Sequence, residues 1–265
     1  MAGFSSFAQP FRVGLALGGG GAKGAATIGA LKVVEKAGIH IDYISGTSIG
    51  AILGGLYASG YTLEELETYL LSRDWEDILE GYRVNKQMRD LFGAKGVHSF
   101  SDTRIPFSCV ATEYRTLKER VFSCGDIVTA VRASMSIPAL YEPVYLNGVE
   151  LVDGGLVNNL PADVVRDMGS SYVVAIDLEQ DEGFSLSLDL GVGGLLDWFF
   201  SRPDIDRYQR NLDLVNIHIH PSLPGFTAMS FGRENCALMM EIGEREAMQH
   251  WDELVKLANY QKSHR

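Results

Sequence analysis

Ile41-Asp42-Tyr43-Ile44-Ser45-Gly46-Thr47-Ser48-Ile49-Gly50 runs from an apolar stretch into a helix of small residues, and its last five residues fit G-x-S-x-G. The pattern predicts a strand over 41–44, a sharp turn carrying Ser48, and a helix from Ile49 through Leu53, Leu56 and Tyr57 to a stop at Gly60. A serine on such a turn crowds the positions two before and two after it, where Gly46 and Gly50 bring no side chain. Ser48 would then stand at the positive end of a helix, where an alkoxide or oxyanion is stabilised. Taken alone, the same five residues also suit a surface serine in an ordinary tight turn.

Upstream, Arg12 to Leu17 reads as a buried first strand, and it enters Gly18-Gly19-Gly20-Gly21-Ala22-Lys23-Gly24 directly. A helix follows, with Ile28, Leu31 and Val34 on one face and Gly38 at its end. Gly19, Gly21 and Gly24 satisfy the dinucleotide fingerprint G-x-G-x-x-G. The acid that should hold the ribose belongs at the end of the second strand, however, whereas Asp42 precedes Tyr43 and the strand ends in the Ser48 turn. A phosphate-binding P-loop fails as well, because Lys23 precedes the last glycine instead of following it. The alternative is a loop whose bare N–H groups face an oxyanion. Neighbouring parallel strands carry both loops to one carboxyl edge, so Gly19, Gly20 and Gly21 would face Ser48. Lys23 adds positive potential there, or is simply a solvated loop lysine.

Strands and helices continue to alternate downstream. Residues 61–92 read as a helical insertion opened by a Thr62/Glu65 capping box, 106–112 as a strand, and Asp126 as the cap of a helix ended by Ser136-Ile137-Pro138. Asn147-Gly148 between apolar runs predicts a type I′ hairpin, which delivers Asp153-Gly154-Gly155 at a strand end. Two residues without side chains then leave that carboxylate open to a neighbour. In isolation it equally suits a turn aspartate. Tyr172 to Leu178 is another buried strand, 179–213 is less regular, 214–219 alternates as a strand, and 233–257 reads as one long helix.

Composition narrows the function classes. At 265 residues the chain suits one α/β domain; 46% hydrophobic and 22% charged residues, without an apolar run near the ~18 needed for a membrane span, fit a soluble protein. The formal net charge of -11 disfavours nucleic acid. Cys109, Cys124 and Cys236 lack the spacing of a disulfide framework or zinc knuckle, and the first ten residues lack a secretory pattern, so a cytoplasmic setting is expected.

With the three segments Gly19–Gly24, Gly46–Gly50 and Asp153–Gly155 in place, the chain resembles the patatin-like phospholipases, more narrowly the small bacterial members related to the neuropathy-target-esterase catalytic domain. The likeness runs from Arg12 to about Leu178. It includes Ser134-Met135-Ser136-Ile137-Pro138 and Asn158-Asn159-Leu160-Pro161, and continues more loosely from Pro221 onward. Thr27 departs from the histidine of many relatives, at a position outside the family's dyad. The resemblance implies a three-layer α/β/α domain with a largely parallel sheet, and a Ser48–Asp153 dyad without a catalytic histidine. It also implies Gly19 to Gly21 as oxyanion loop, with Lys23, Gly24, Gly46, Gly50, Gly154 and Gly155 in support. The substrate would be a phospholipid or lysophospholipid met at a membrane surface, with no cofactor or metal.

A carboxylate near pKa 4 is a weak base for a serine, so burial must raise Asp153. Competing readings are a Ser-His-Asp esterase using His218 or His220, and an acyl-lipid-binding module without turnover. The two histidines read as the polar face of a strand, and as a metal pair they lack nearby carboxylate or cysteine partners. Finally, 183–205 suits a lid or acyl-chain wall, where Trp198, Phe199 and Phe200 follow a glycine-rich hinge and would touch lipid, and equally a helix packed permanently on the core.

Overall fold

The computed structural model of the chain describes residues 10–72, 81–138, 140–179 and 205–264. The candidate lid and its aromatics Trp198, Phe199 and Phe200 lie outside these residues. The described residues open with β1 (Val13–Leu17), the glycine loop and α1 (Gly24–Lys36), followed by β2 (Tyr43–Thr47) and α2 (Ile49–Ala58). Then come α3 (Leu63–Ser72), α4 (Gly81–Ala94), β3 (Phe107–Glu113), β4 (Lys118–Phe122) and α5 (Ile127–Ser134). The hairpin of β5 (Val144–Leu146) and β6 (Val149–Asp153) precedes α6 (Ala162–Asp167) and β7 (Tyr172–Ile176). Last are α7 (Ile205–Leu214), β8 (Ile217–Ile219), α8 (Arg233–Gln249) and α9 (Trp251–Ser263).

The strands form one sheet in the order β5-β6-β3-β2-β1-β7-β8, with β4 also paired to β3. From β3 through β8 the neighbours are parallel, while β4, β5 and β6 join antiparallel. Alternation along β1 shows why helices cover both faces. Val13, Leu15 and Leu17 enter the larger core with α1, α2 and α8, whereas Ala16 joins Leu160, Val165 and Ala175 in a thinner core under α6 and α7. This is the expected three-layer α/β/α arrangement.

The register around β3 decides where the site forms. One edge of β3 is taken by β4 along Cys109 to Glu113. The other edge carries β2 as far as Thr47, opposite Val110, and then β6 from Asp153, opposite Ala111. Two strands therefore share this edge end to end and run towards each other. β2 turns away at Ser48, and β6 arrives from the opposite direction to stop at Asp153.

Local signals behave as the sequence predicts where the chemistry is local. Thr62 and Glu65 exchange side-chain-to-backbone hydrogen bonds at 2.8 and 3.1 Å, and Asp126 caps α5 through Val128 N. Asn147 and Gly148 both take positive φ, 51° and 78°, as a type I′ turn requires.

Four expectations need correction. β2 spans Tyr43–Thr47 rather than 41–44, because parallel ladders to β1 and β3 hold Ser45 and Gly46 in strand geometry without apolar side chains. The stretch expected to be irregular contains α7, whose inward face includes the polar Asn211 and Arg207 and so carries a weak apolar signal. The strand expected over 214–219 is shortened to Ile217–Ile219, since Leu214 ends α7 and Asn216 is spent on Arg166 and Val173 N. The single long terminal helix is two, broken at His250, and the bend lets Gln261 pair with both backbone groups of His40.

Candidate active site

Ser48 is a non-glycine residue at φ 56°, ψ -123°, the N-cap of α2 and almost fully buried. A backbone held there stores strain that the surroundings must maintain. Gly46 and Gly50 make the turn sterically feasible. A Cβ on Gly46 would lie 2.3 Å from Gly50 O, and one on Gly50 would lie 2.3 Å from Leu17 O. The elbow thus packs against its own helix and the end of β1 with no room for a methyl group.

Asp153 meets this elbow from the far side of the shared edge. It is fully buried, and its Oδ1 accepts a hydrogen bond from Gly155 N at 2.8 Å. Burial pushes its carboxyl up to about 7, against the opposing pull of Gly155 N–H and the Ser48 hydroxyl. That hydroxyl is close enough to act on the carboxylate but closes no hydrogen bond of normal geometry onto Oδ2, which has no partner among the described residues. An open carboxylate oxygen beside a serine, with a pKa near neutrality, is the arrangement a general base needs. A Cβ on Gly154 would come 2.3 Å from Val110 O, so the D-G-G turn lies tight on β3.

Within the glycine loop the donors are unequal. Gly18 N–H donates to Ile176 O and Gly19 N–H to Asn159 O at 3.2 Å, which turns Gly19 to the scaffold rather than to an oxyanion. Its bare Cα instead admits Asn159 and Ser48, since a Cβ there would lie 2.4 Å from Asn159 Oδ1 and 3.0 Å from Ser48 Cβ. Gly20 and Gly21 N–H have no acceptor among the described residues, and neither does Ile49 N–H at the start of α2. Gly21 sits at φ 58° against Ala228 O. Gly24 opens α1 against Ile49, leaving no space for a side chain. Lys23 is buried, contrary to the reading of a solvated loop lysine, because the 3-10 turn Gly21–Lys23 folds it inward at the start of α1.

Residues to which the sequence assigned no role hold these parts together. Ser134 Oγ accepts from Ser48 N–H at 3.0 Å and donates to Val110 O at 2.6 Å, while Ser136 O accepts from Asp153 N–H at 2.9 Å. One short loop therefore anchors both halves of the pair. Arg132, buried beneath it, donates to Ser136 Oγ and faces the Tyr141 ring. Asn158 O accepts from Thr47 Oγ1, and its amide joins Glu119 and Asp163, both bound by Arg207 of α7. The resemblance marked both segments; nothing local in them states these partners.

A pocket opens from Ser48 between α3, α4 and the loop after α5. Ile52, Met88, Met135, Ile137, Leu140 and Phe231 give it an apolar wall. It lies on the same side as Gly21, so a carbonyl at Ser48 would place its attached chain among these side chains.

His218 and His220 stand elsewhere. His218 lies on β8 and His220 directly after it, three strand spacings or about 14 Å from β2 across the sheet. The expectation that they lack a carboxylate neighbour is overturned: Asp177, 41 residues away, accepts from His218 Nε2 at 2.9 Å. Asp177 also accepts from Tyr208 and Glu179 N–H. Burial raises its carboxyl, but His218, His220 and Tyr208 outweigh that and leave it below the ordinary value. Its ligand atoms and those of the two histidines fall within 4.8 Å, the one grouping among the described residues able to share a cation. Here Asp177 already accepts three hydrogen bonds, one of them from His218 itself. No helix among the described residues is long and apolar enough to cross a membrane.

Comparison with known proteins identifies relatives of the chain. The chain is 37% identical over 194 residues to a patatin-like phospholipase domain-containing protein of Caenorhabditis elegans, covering 66% of the chain and 14% of the relative. It is 32% identical over 267 residues to mouse patatin-like phospholipase domain-containing protein 6, covering 83% and 19%. The chain thus spans less than a fifth of these relatives. Among solved structures, VipD from Legionella pneumophila superposes with a TM-score of 0.60 at 15% identity over 93% of the chain and 67% of VipD. Human GIVD cytosolic phospholipase A2 gives 0.53 at 12% identity over 97% of the chain and 60% of that protein. At such identities these two share the fold. The family model for patatin-like phospholipases matches residues 15–166, a span holding the glycine loop, the Ser48 elbow and Asp153, and the chain belongs to that family.

Proposed function

We propose that the chain is a lipid acyl hydrolase that cleaves carboxylic esters of phospholipids or lysophospholipids through Ser48 and Asp153. The observation that carries this reading is the end-to-end meeting of β2 and β6, which brings an open, buried carboxylate of raised pKa to a strained serine at the mouth of an apolar pocket. Ser48 Oγ attacks the ester carbonyl carbon as its proton passes to Asp153 Oδ2. The tetrahedral oxyanion is held by Gly20 and Gly21 N–H and by Ile49 N–H at the start of α2. As the carbon–oxygen bond breaks, Asp153 returns the proton to the departing lipid oxygen. Water then gives a proton to Asp153, attacks the acyl-serine and releases the fatty acid, and Ser48 recovers its proton. No divalent ion has a step in this cycle.

A triad through His218 is disfavoured by its distance across the sheet and its pairing with Asp177. Membership of a phospholipase family and an intact Ser48–Asp153 pair speak against a module that only binds lipid. Purified protein should release fatty acid from a lysophospholipid or diacyl phospholipid, and Ser48→Ala should abolish release. Turnover retained by Ser48→Ala, or lipid binding without release by the parent, would replace this reading.

A further inference from the structure

Beyond Glu113 the β3–β4 hairpin continues past the carboxyl edge of the sheet, and the β5–β6 hairpin projects beside it, with Tyr114 N–H still donating to Glu150 O. Thr47 is level with Val110, so the β3–β4 turn stands about 10 Å above the nucleophile, three strand residues away. The two hairpins form an antiparallel ledge over the site. Of the eight large hydrophobic residues exposed among the described ones, four lie on it: Tyr114, Leu117, Val121 and Tyr145. Leu117 is 61% exposed and also holds a left-handed φ of 50°, a conformation better suited to Gly or Asn. An apolar side chain kept at a strained, wet tip gains nothing for the fold.

The charges are sorted. Arg115 pairs with Glu150 at 3.5 Å and Arg120 with Glu113 at 3.8 Å, yet Arg115, Lys118 and Arg120 are the exposed groups, while Glu150, Glu113 and Glu119 lie further in. Arg115 is 86% exposed and Glu150 only 15%. In a chain of net charge -11, this ledge turns cations and aromatic or aliphatic tips outward over the catalytic edge.

We propose that the ledge docks the protein onto an anionic lipid surface, with Leu117, Tyr114 and Tyr145 entering the interface and Arg115, Lys118 and Arg120 meeting the head groups. Interfacial elements reach about 5–10 Å into the head-group boundary, which matches the height of the turn above Ser48 and brings the site down to the lipid. This surface deepens the hydrolase reading and rests on it only for its purpose.

Sedimentation with phosphatidylcholine vesicles, with and without about 30 mol% phosphatidylserine, tests the surface without any turnover. The parent should partition to the anionic vesicles and lose that partition as salt rises. Leu117→Asn combined with Tyr145→Ser should lower it about tenfold or more. Asparagine tolerates the left-handed position, so the thermal midpoint should hold or rise. Arg115→Ser, Lys118→Ser and Arg120→Ser together should lower anionic binding about a hundredfold, with little change on pure phosphatidylcholine. Both variants should keep parental turnover of a short soluble ester. Failure of the parent to sediment, or equal sedimentation of parent and variants, overturns the ledge. Loss of all ester turnover in a parent that still sediments overturns the hydrolase reading instead.

Discussion

Replacing Asp153 by asparagine separates the cost of the buried carboxylate from the base role proposed for it. The carboxyl is fully buried, and its pKa moves from 3.8 to about 7. A shift of about 3 units corresponds to about 4 kcal/mol between the protonation states. Because the folded value is the raised one, the parent has its full stability below pH 3.8. It loses stability as pH rises towards 7 and is flat above that. The amide that Asp153→Asn introduces cannot ionise and costs only a constant amount, about 1–3 kcal/mol, where Oδ2 stood unpartnered. The stability of Asp153→Asn relative to the parent should therefore climb by about 4 kcal/mol between about pH 4 and pH 8. Urea unfolding of both proteins across that range measures it. A difference that stays constant with pH would refute the buried, proton-holding carboxylate. Ester turnover by Asp153→Asn should fall to the Ser48→Ala background, even near the top of that pH range, where the variant is relatively best stabilised.

For the parent, kcat/KM should rise with pH to a plateau above about 7, the value of Asp153, and a profile flat from about pH 5 to 8 would assign proton transfer elsewhere. Ser134→Ala strips Ser48 N–H and Val110 O of their shared partner; kcat should drop about tenfold or more with little change in KM, and unchanged kcat would make Ser134 a packing residue only. Gly20→Val crowds Leu178, 2.9 Å from a Cβ, and displaces a donor N–H, so turnover should fall about 10²–10³-fold in folded protein; normal kinetics would make the loop a connector.

The site was legible in the sequence through residues whose constraints are local. Gly46 and Gly50 are required by backbone atoms within a few ångströms, Asn147-Gly148 by positive φ, and Thr62/Glu65 by a single helical turn. What stayed hidden depends on distant partners. Ser134 lies 86 residues from Ser48, and Asp177 lies 41 from His218. Gly19 resembles its neighbours in the loop, and only Asn159 O, 140 residues on, distinguishes it from Gly20 and Gly21 as a donor. The missed helix α7 is a related case, because its inward face includes Asn211 and Arg207, which bind partners on α6 and β4 and in the Asn158 segment.

The most direct test of the Ser48–Asp153 pairing is the rate and site of reaction with a fluorophosphonate, followed by intact mass and peptide mapping. One adduct is expected, on Ser48, formed rapidly above about pH 7, absent in Ser48→Ala and strongly slowed in Asp153→Asn. Labelling at another residue, or an Asp153→Asn rate equal to the parent's, would contradict the pairing.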